Sequence, residues 1–173
     1  YNLKKRLAYI YWSYGEEYVD IALEKALEAS TIKDELTSLS DAERAEINFD
    51  CLNNVCWYKL EKLILQKTST QSSVYSLADE CLKNLYDDLK KDYKALEQIV
   101  ANDKTANAYD TMAWFCYHAH LFGDKEKDYL SIAQDYCTKA WRYESKSLHK
   151  MNTANLLRMH TQEIMDEVNR MSK

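Results

Sequence analysis

The chain has 173 residues, no proline, only two glycines and a net charge of −5. Apart from the Lys4-Lys5-Arg6 cluster its basic and acidic residues are interspersed, so it lacks the basic face that collects phosphates, and no apolar run approaches the roughly 20 residues of a membrane-spanning helix. These features argue against a nucleic-acid partner and a membrane protein, and the scarcity of residues that punctuate strands and tight turns predicts an all-α fold.

Three helices are predicted for the first half of the chain, at about 3–14, 16–39 and 41–67. The third has the clearest start, because Ser40 and Glu43 form the Ser-x-x-Glu pattern of a capping box. The segment 68–73 is rich in Ser and Thr, whose hydroxyls compete with helical backbone hydrogen bonds, so we predict that it forms the loop after this helix.

Four further helices are predicted for the second half, at about 74–100, 105–122, 124–144 and 148–171. Gly123 stands where the end of a helix needs a residue in the left-handed conformation. Asp124 follows it and is expected to cap the next helix.

The most unusual stretch is MAWFCYHAHLFG, residues 112–123, which combines large aromatic residues with Cys116, His118 and His120. On a helix His118 and His120 point about 200° apart, so they cannot meet at one metal ion. A helix that is covered on two sides should be apolar nearly all round, as this stretch is. We therefore predict a buried helix, and neither a metal nor another cofactor is expected.

The five cysteines form an odd set without a Cys-x-x-Cys pair, and each lies among apolar neighbours in a helical pattern. A reduced cysteine behaves there as a small hydrophobic residue, which favours a cytoplasmic protein. A length of 173 residues suits a single domain with a substantial core. Because the sequence opens at Tyr1 without a methionine, we interpret residues 1–173 as a segment of a larger protein.

Two patterns recur along the chain at nearly the same spacing. Ala22, Ala78 and Ala133 each follow Ile or Leu, and they lie 56 and 55 residues apart. Trp57 and Trp114 lie 57 residues apart in matching surroundings. Two independent motifs at one period predict structural repeats, with the small differences absorbed in loops.

The predicted helix pairs resemble the tetratricopeptide repeat, although the period of that family is shorter and more regular, at about 34 residues. Gly123-Asp124 resembles the Gly-Asp between the two helices of the motif, and Ala133, Cys137 and Ala140 match its Ala, aromatic and Ala positions. The resemblance implies an array of antiparallel α-hairpins, a solenoid of about three units with a C-terminal capping helix. It also implies a protein or peptide interaction module, which could be the regulatory or sensor part of a larger chain.

In the tetratricopeptide family the first helix of each pair lines a concave groove. Counting back from Gly123 places Asp110, Tyr117 and His120 on that side, and the tryptophan spacing carries Asp110 to Asn53. The resemblance therefore implies a ligand-binding groove in which Asn53 and Asp110 grip the backbone of a peptide while the other two side chains supply shape. The alternative role for each of these residues is packing against a neighbouring helix.

Two other functions stay open at this point. Arg142 and His149 are separated by six residues, a spacing that resembles the Arg-x(4–6)-His signature of HEPN ribonucleases, which are also all-helical. In a metal-independent ribonuclease of that kind, His149 would act as the acid or base and Arg142 would hold the phosphate. A third function is a scaffold or spacer whose surface contacts only other domains of its parent chain. The sequence favours binding over enzymatic activity.

Overall fold

The computed structural model describes residues 1–35, 38–69, 80–100, 105–144 and 151–172. These ranges contain helices and no β-strand, which confirms the all-α prediction, and none of their helices is both long and apolar enough to cross a membrane. The helices are α1 (Asn2–Tyr14), a 3-10 helix (Glu16–Tyr18), α2 (Val19–Glu35), α3 (Asp41–Ser69), α4 (Glu80–Val100), α5 (Ala106–Leu121), α6 (Tyr129–Glu144) and α7 (Met151–Met171). They group into two compact units, residues 1–99 (unit 1) and 100–173 (unit 2).

Two predicted helix starts are confirmed by their capping contacts. At the start of α3, the backbone N–H of Ser40 donates to Glu43 Oε2 at 2.9 Å, and the backbone N–H of Glu43 donates to Ser40 Oγ at 3.4 Å. At the start of α5, Thr105 Oγ1 accepts a hydrogen bond from the backbone N–H of Ala108 at 3.2 Å. These bonds serve backbone amides for which the helix itself provides no acceptor.

The connection between α5 and α6 confirms one predicted role and corrects another. Gly123 has a φ of +75°, and it ends α5 in the left-handed conformation as expected. Asp124 does not cap α6, because its Oδ1 accepts a hydrogen bond from the backbone N–H of Glu126 within the loop. Asp128 is the capping residue instead, since its Oδ1 accepts from the backbone N–H of Ser131 at 3.2 Å.

The end of α3 lies later than predicted. The helix continues through Thr68 and Ser69, two residues into the segment predicted as a loop, and residues 70–73 of that segment lie outside the described residues. Each Ser or Thr residue costs a helix only about 0.5 kcal/mol relative to alanine. This cost is too small for Thr68 and Ser69 to end the helix.

The core of unit 1 is centred on α2, which packs against both α1 and α3. Small side chains on α2 let the helix backbones approach closely, because Ala22 is fully buried and Ala26 nearly so. The buried cluster consists of Ala8, Ala22, Leu23, Ala26, Val55 and Tyr58.

The core of unit 2 is centred on α5, against which both α6 and α7 pack. Between Met112 and Ala119 every side chain except that of Tyr117 is buried. This burial confirms that the MAWFCYHAHLFG stretch is a core helix, and α6 contributes the fully buried Ala133 and Ala140 to the same core.

Replacement of Ala133 by leucine should destabilise the protein. We expect Ala133→Leu to lower the free energy of unfolding by about 1–3 kcal/mol, because the larger side chain forces packed helices apart. Ala95 of α4 is exposed, so the matched control Ala95→Leu should change this free energy by less than about 0.5 kcal/mol. Urea denaturation of the wild type and both variants measures the difference. Equal stability of the two variants would contradict a close helix contact at Ala133.

The recurring sequence motifs are only partly comparable in the structure. Ala22 in α2 and Ala133 in α6 are both fully buried, whereas Ala78 lies outside the described residues. Trp57 is half-buried with its ring against α1, while Trp114 is buried with its ring against α7. The two tryptophans therefore do not share an environment, and the solenoid of repeated hairpins stays a prediction.

Candidate functional site

A cleft of about 490 Å³ opens among α2, α3 and α4 of unit 1. Helix α3 contributes four residues at spacings of four, three and four, which places them on one face of the helix. The walls therefore combine apolar and polar side chains from three helices. The lining consists of Leu27, Ser30, Asn48, Leu52, Val55, Lys59, Asp92 and Ile99.

Lys59 is held at this cleft by two carboxylates of α4. Its Nζ lies 2.5 Å from Asp88 Oδ2 and 2.5 Å from Asp92 Oδ2, and only 12% of its side chain is exposed. Burial acts to lower the pKa of Lys59, but the hydrogen bonds to the two carboxylates outweigh it, so the pKa is raised and the ammonium stays charged. One cation and two carboxylates give this ion-pair cluster a net negative charge.

Asn53 is the predicted groove residue of unit 1, and it does not line the cleft. It follows Leu52 directly, and successive residues of a helix point about 100° apart, so its side chain leaves α3 in another direction. Within the described part of the chain its Oδ1 is buried without a hydrogen-bond partner. A buried polar atom without a partner needs a structural or functional reason, and contact with a ligand stays a prediction for Asn53.

In unit 2 a buried polar pair joins α5 to α7. His160 Nδ1 lies 2.9 Å from Asp110 Oδ1, and both side chains are buried. The ring of Trp114 stacks on the imidazole of His160, with 4.1 Å between the ring centroids and an interplanar angle of 17°. The aromatic ring thus excludes water from the pair, which strengthens its hydrogen bond.

A second polar contact joins the same two helices further along. His120 Nε2 lies 3.2 Å from Glu167 Oε1, and Glu167 Oε2 accepts a hydrogen bond from Arg170 Nε at 2.7 Å. The pKa of Glu167 is lowered mainly by the hydrogen bond from Arg170, with a smaller contribution from His120, while burial opposes both. Glu167 therefore stays ionised and ties the end of α7 to α5.

The lowered pKa of Glu167 predicts a loss of stability in acid. A carboxyl group with a depressed pKa stabilises the folded state above its ordinary pKa of 4.5, and this contribution is lost as the pH falls through the lower folded value. We expect the stability difference between the wild type and Glu167→Gln to be largest above pH 4.5 and to shrink below it. Urea denaturation at a series of pH values measures this difference, and one that grows on acidification would contradict the assignment.

The structure places Asp110 and His120 at the contact between α5 and α7, whereas the ring of Tyr117 contacts side chains within α5. Asp110 and His120 bond to side chains of α7, and the half-buried ring of Tyr117 stacks on Trp114 with 5.2 Å between the centroids. These three residues belong to unit 2, whereas Asn53 belongs to unit 1. The contacts of Asp110 and His120 correspond to the packing alternative, and a role in ligand binding stays a prediction for all four residues.

The structure describes Cys116, His118, His120 and Arg142 among the residues considered for metal binding and catalysis. Among the residues that the structure describes, no group of three His, Cys, Asp or Glu side chains is placed to hold a metal ion. Cys116 and His118 are buried in the core of unit 2. Arg142 is exposed in the last turn of α6, and His149 lies outside the described residues, so their pairing in a ribonuclease stays a prediction.

All five cysteines lie within the described ranges, and none is in a disulfide. Cys81 is exposed, and the other four are buried. Burial raises the pKa of the Cys56 thiol above its ordinary value and that of Cys137 to about 11. These two thiols are therefore poor nucleophiles at neutral pH, because the reactive species is the thiolate.

Sequence reasoning did not single out His160, Glu167 or Lys59. The first two share a buried face of α7 with Leu157 and Ile164, at spacings of three and four residues, so two polar residues within an apolar stripe were the available signal. Lys59 offered no such signal, because its carboxylate partners lie 29 and 33 residues further along the chain.

The chain was compared with models of protein families, with curated proteins and with solved structures, and none of them matched it. The likeness to the tetratricopeptide repeat is therefore one of sequence pattern alone.

Proposed function

We propose that this chain is a protein-interaction module that holds a peptide segment of its partner in the cleft of unit 1. The observation that carries the proposal is the lining of the cleft, which combines apolar side chains with a fixed ion-pair cluster. Its volume of about 490 Å³ falls within the range of about 300–1,000 Å³ that is typical of ligand sites. The resemblance to a helical-repeat family supports the proposal, because stacked helices present binding surfaces of this kind.

The lining selects the chemistry of the peptide. Leu27 at the rim is 44% exposed and, together with Ile99, offers contact to an apolar side chain. The lining residues Lys59 and Asp92 balance each other in charge, so the carboxylate of Asp88, which binds Lys59 and is 54% exposed, is the one that favours a basic side chain beside the cluster. Ser30 and Asn48 have side chains that can pair with the backbone of an extended segment. The preferred peptide therefore carries an apolar residue next to Lys or Arg.

Selection from a library of random displayed peptides tests this function. We expect the wild type to enrich peptides with an apolar residue beside a basic one. Ser30→Trp fills the cleft and should weaken the binding of those peptides at least tenfold, or by about 1.4 kcal/mol. The matched control is Ser131→Trp, at an exposed position of α6 in unit 2, and it should bind as the wild type does.

The melting temperatures of both variants show whether lost binding is a secondary effect of unfolding. A Ser30→Trp protein that folds and still binds the selected peptides would place the peptide elsewhere and contradict the proposal. Failure to enrich any peptide from the library would favour the scaffold or spacer alternative.

A further inference from the structure

Helix α1 presents a line of apolar side chains to solvent, on the face opposite its buried Ala8. Leu3 is 69% exposed, Ile10 40% and Tyr14 67%, and their spacings of seven and four residues place them on one face of the helix. Tyr9 is also exposed, but it points about 100° away from Ile10 on another side of the helix. We call this line of Leu3, Ile10 and Tyr14 the α1 stripe.

An apolar line of this kind on one helix differs from scattered surface hydrophobic residues, which need no explanation. The other exposed large hydrophobic side chains in the described chain are Leu27, at the cleft, and Met159 and Met171 of α7. The stripe has the spacing with which helices pack side by side, because positions seven residues apart return to the same seam.

The charges on this side of α1 are segregated along its length. Arg6 is exposed on the same face as the stripe, between its first two members. Glu16 and Glu17 are exposed directly after the end of the helix. The neighbouring Lys4 and Lys5 form ion pairs with Glu28 and Asp50 on other helices of unit 1. The first half of the stripe therefore carries a positive charge at Arg6, and the segment directly after its last member is negative.

We propose that the α1 stripe is the site at which a second copy of the chain docks, with the two α1 helices antiparallel across a two-fold axis. In this arrangement Arg6 of each copy approaches Glu16 and Glu17 of the other, so both ends of the interface carry opposite charges. Ile10, in the middle of the stripe, lies near the axis, and Leu3 and Tyr14 flank it. A parallel arrangement would instead bring the two Arg6 side chains together.

The two-fold symmetry makes each contact occur twice, so one surface supplies both sides of the interface. A pair of short helices buries less surface than a typical stable interface, and we expect a dissociation constant in the micromolar range, about 10 µM. The interaction does not involve the peptide cleft, so either proposal can fail without the other.

Sedimentation equilibrium of the whole chain between about 1 and 300 µM tests the proposal. The wild type should pass from monomer to dimer over this range, and Ile10→Glu should weaken the dimer at least tenfold, because it buries a charge at the axis. A wild type that stays monomeric throughout would overturn the proposal.

Charge reversal tests the antiparallel arrangement. Arg6→Glu should weaken self-association about fivefold or more at low salt, because it places like charges at both ends of the interface, and Glu17→Lys should weaken it less, because the introduced lysine neutralises Glu16 and removes the attraction for Arg6. An equal mixture of the two variants should associate more strongly than Arg6→Glu alone, since one end of the mixed dimer keeps Arg6 opposite Glu16 and Glu17. This rescue would not occur if either variant had simply lost its fold.

Arg158→Glu is the matched control for the change in net charge, at an exposed position of α7, and it should self-associate like the wild type. Dimers whose affinity is unchanged in the separate Arg6→Glu and Glu17→Lys variants would exclude the antiparallel pairing. Dimers that persist unchanged in Ile10→Glu would place the contact on another surface.

Discussion

Replacement of Trp114 by alanine should lower the free energy of unfolding of unit 2 by about 3–5 kcal/mol. The side chain is 8% exposed, its ring stacks on His160, and its edge-to-face contact with His118 has 4.6 Å between the centroids. Removal of the ring leaves a cavity beside the buried Asp110–His160 pair and admits water to it. Because whole domains are stable by only about 5–15 kcal/mol, we expect this variant to be near its unfolding threshold at physiological temperature.

Hydrogen exchange measured by mass spectrometry distinguishes an effect on unit 2 from a general one. Amides of α5, α6 and α7 should exchange faster in Trp114→Ala, while those of α1 to α3 should change less. Trp57→Ala is the matched control in unit 1, since Trp57 is only half-buried and should cost at least about 1 kcal/mol less. If the two substitutions lowered the free energy of unfolding equally, the buried Trp114 would contribute no more to stability than the half-buried Trp57.

Replacement of Asp110 by alanine should lower the free energy of unfolding by about 3 kcal/mol, because it removes the buried hydrogen bond at Nδ1 of His160. The two side chains are 2.9 Å apart and belong to different helices, so the loss should appear as weaker docking of α7 on α5. His160→Ala should have a similar effect for the same reason.

A double-mutant cycle measures the pair itself. The variant with both substitutions should be more stable than the sum of the two single losses predicts, by about 1–3 kcal/mol. Urea denaturation of the four proteins supplies the values. Additive losses would mean that Asp110 and His160 stabilise the fold independently, which would leave Asp110 open to the ligand-binding role that its sequence position implied.

Much of the helical framework could be predicted from the sequence because local signals determine it. The capping pair Ser40 and Glu43, the left-handed Gly123 and the apolar residues around Trp114 each act within a few residues of their own position. The cap of α6 was assigned wrongly because two aspartates, Asp124 and Asp128, stand before that helix. Nothing local shows which of them meets a free backbone amide.

The candidate sites depend on distant parts of the chain and were less accessible. The cleft of unit 1 requires α4 to meet α3 through Lys59, and this contact joins residues that no spacing rule connects. In unit 2 Asp110 and His120 of α5 were recognised as candidate groove residues, but the sequence did not show that side chains of α7 would bond to them. Residues that pack on a neighbouring helix and residues that bind a ligand share the same polar and aromatic composition.

Because both units contain buried cysteines, the rate at which each unit opens can be measured without any mutation. Cys51 and Cys56 are buried in unit 1, and Cys116 and Cys137 in unit 2, whereas Cys81 is exposed. A thiol-specific reagent should therefore modify Cys81 first, and each buried thiol only when the structure around it opens. The rates of modification, followed peptide by peptide in a mass spectrometer, would report separate opening frequencies for the two halves of one unaltered chain.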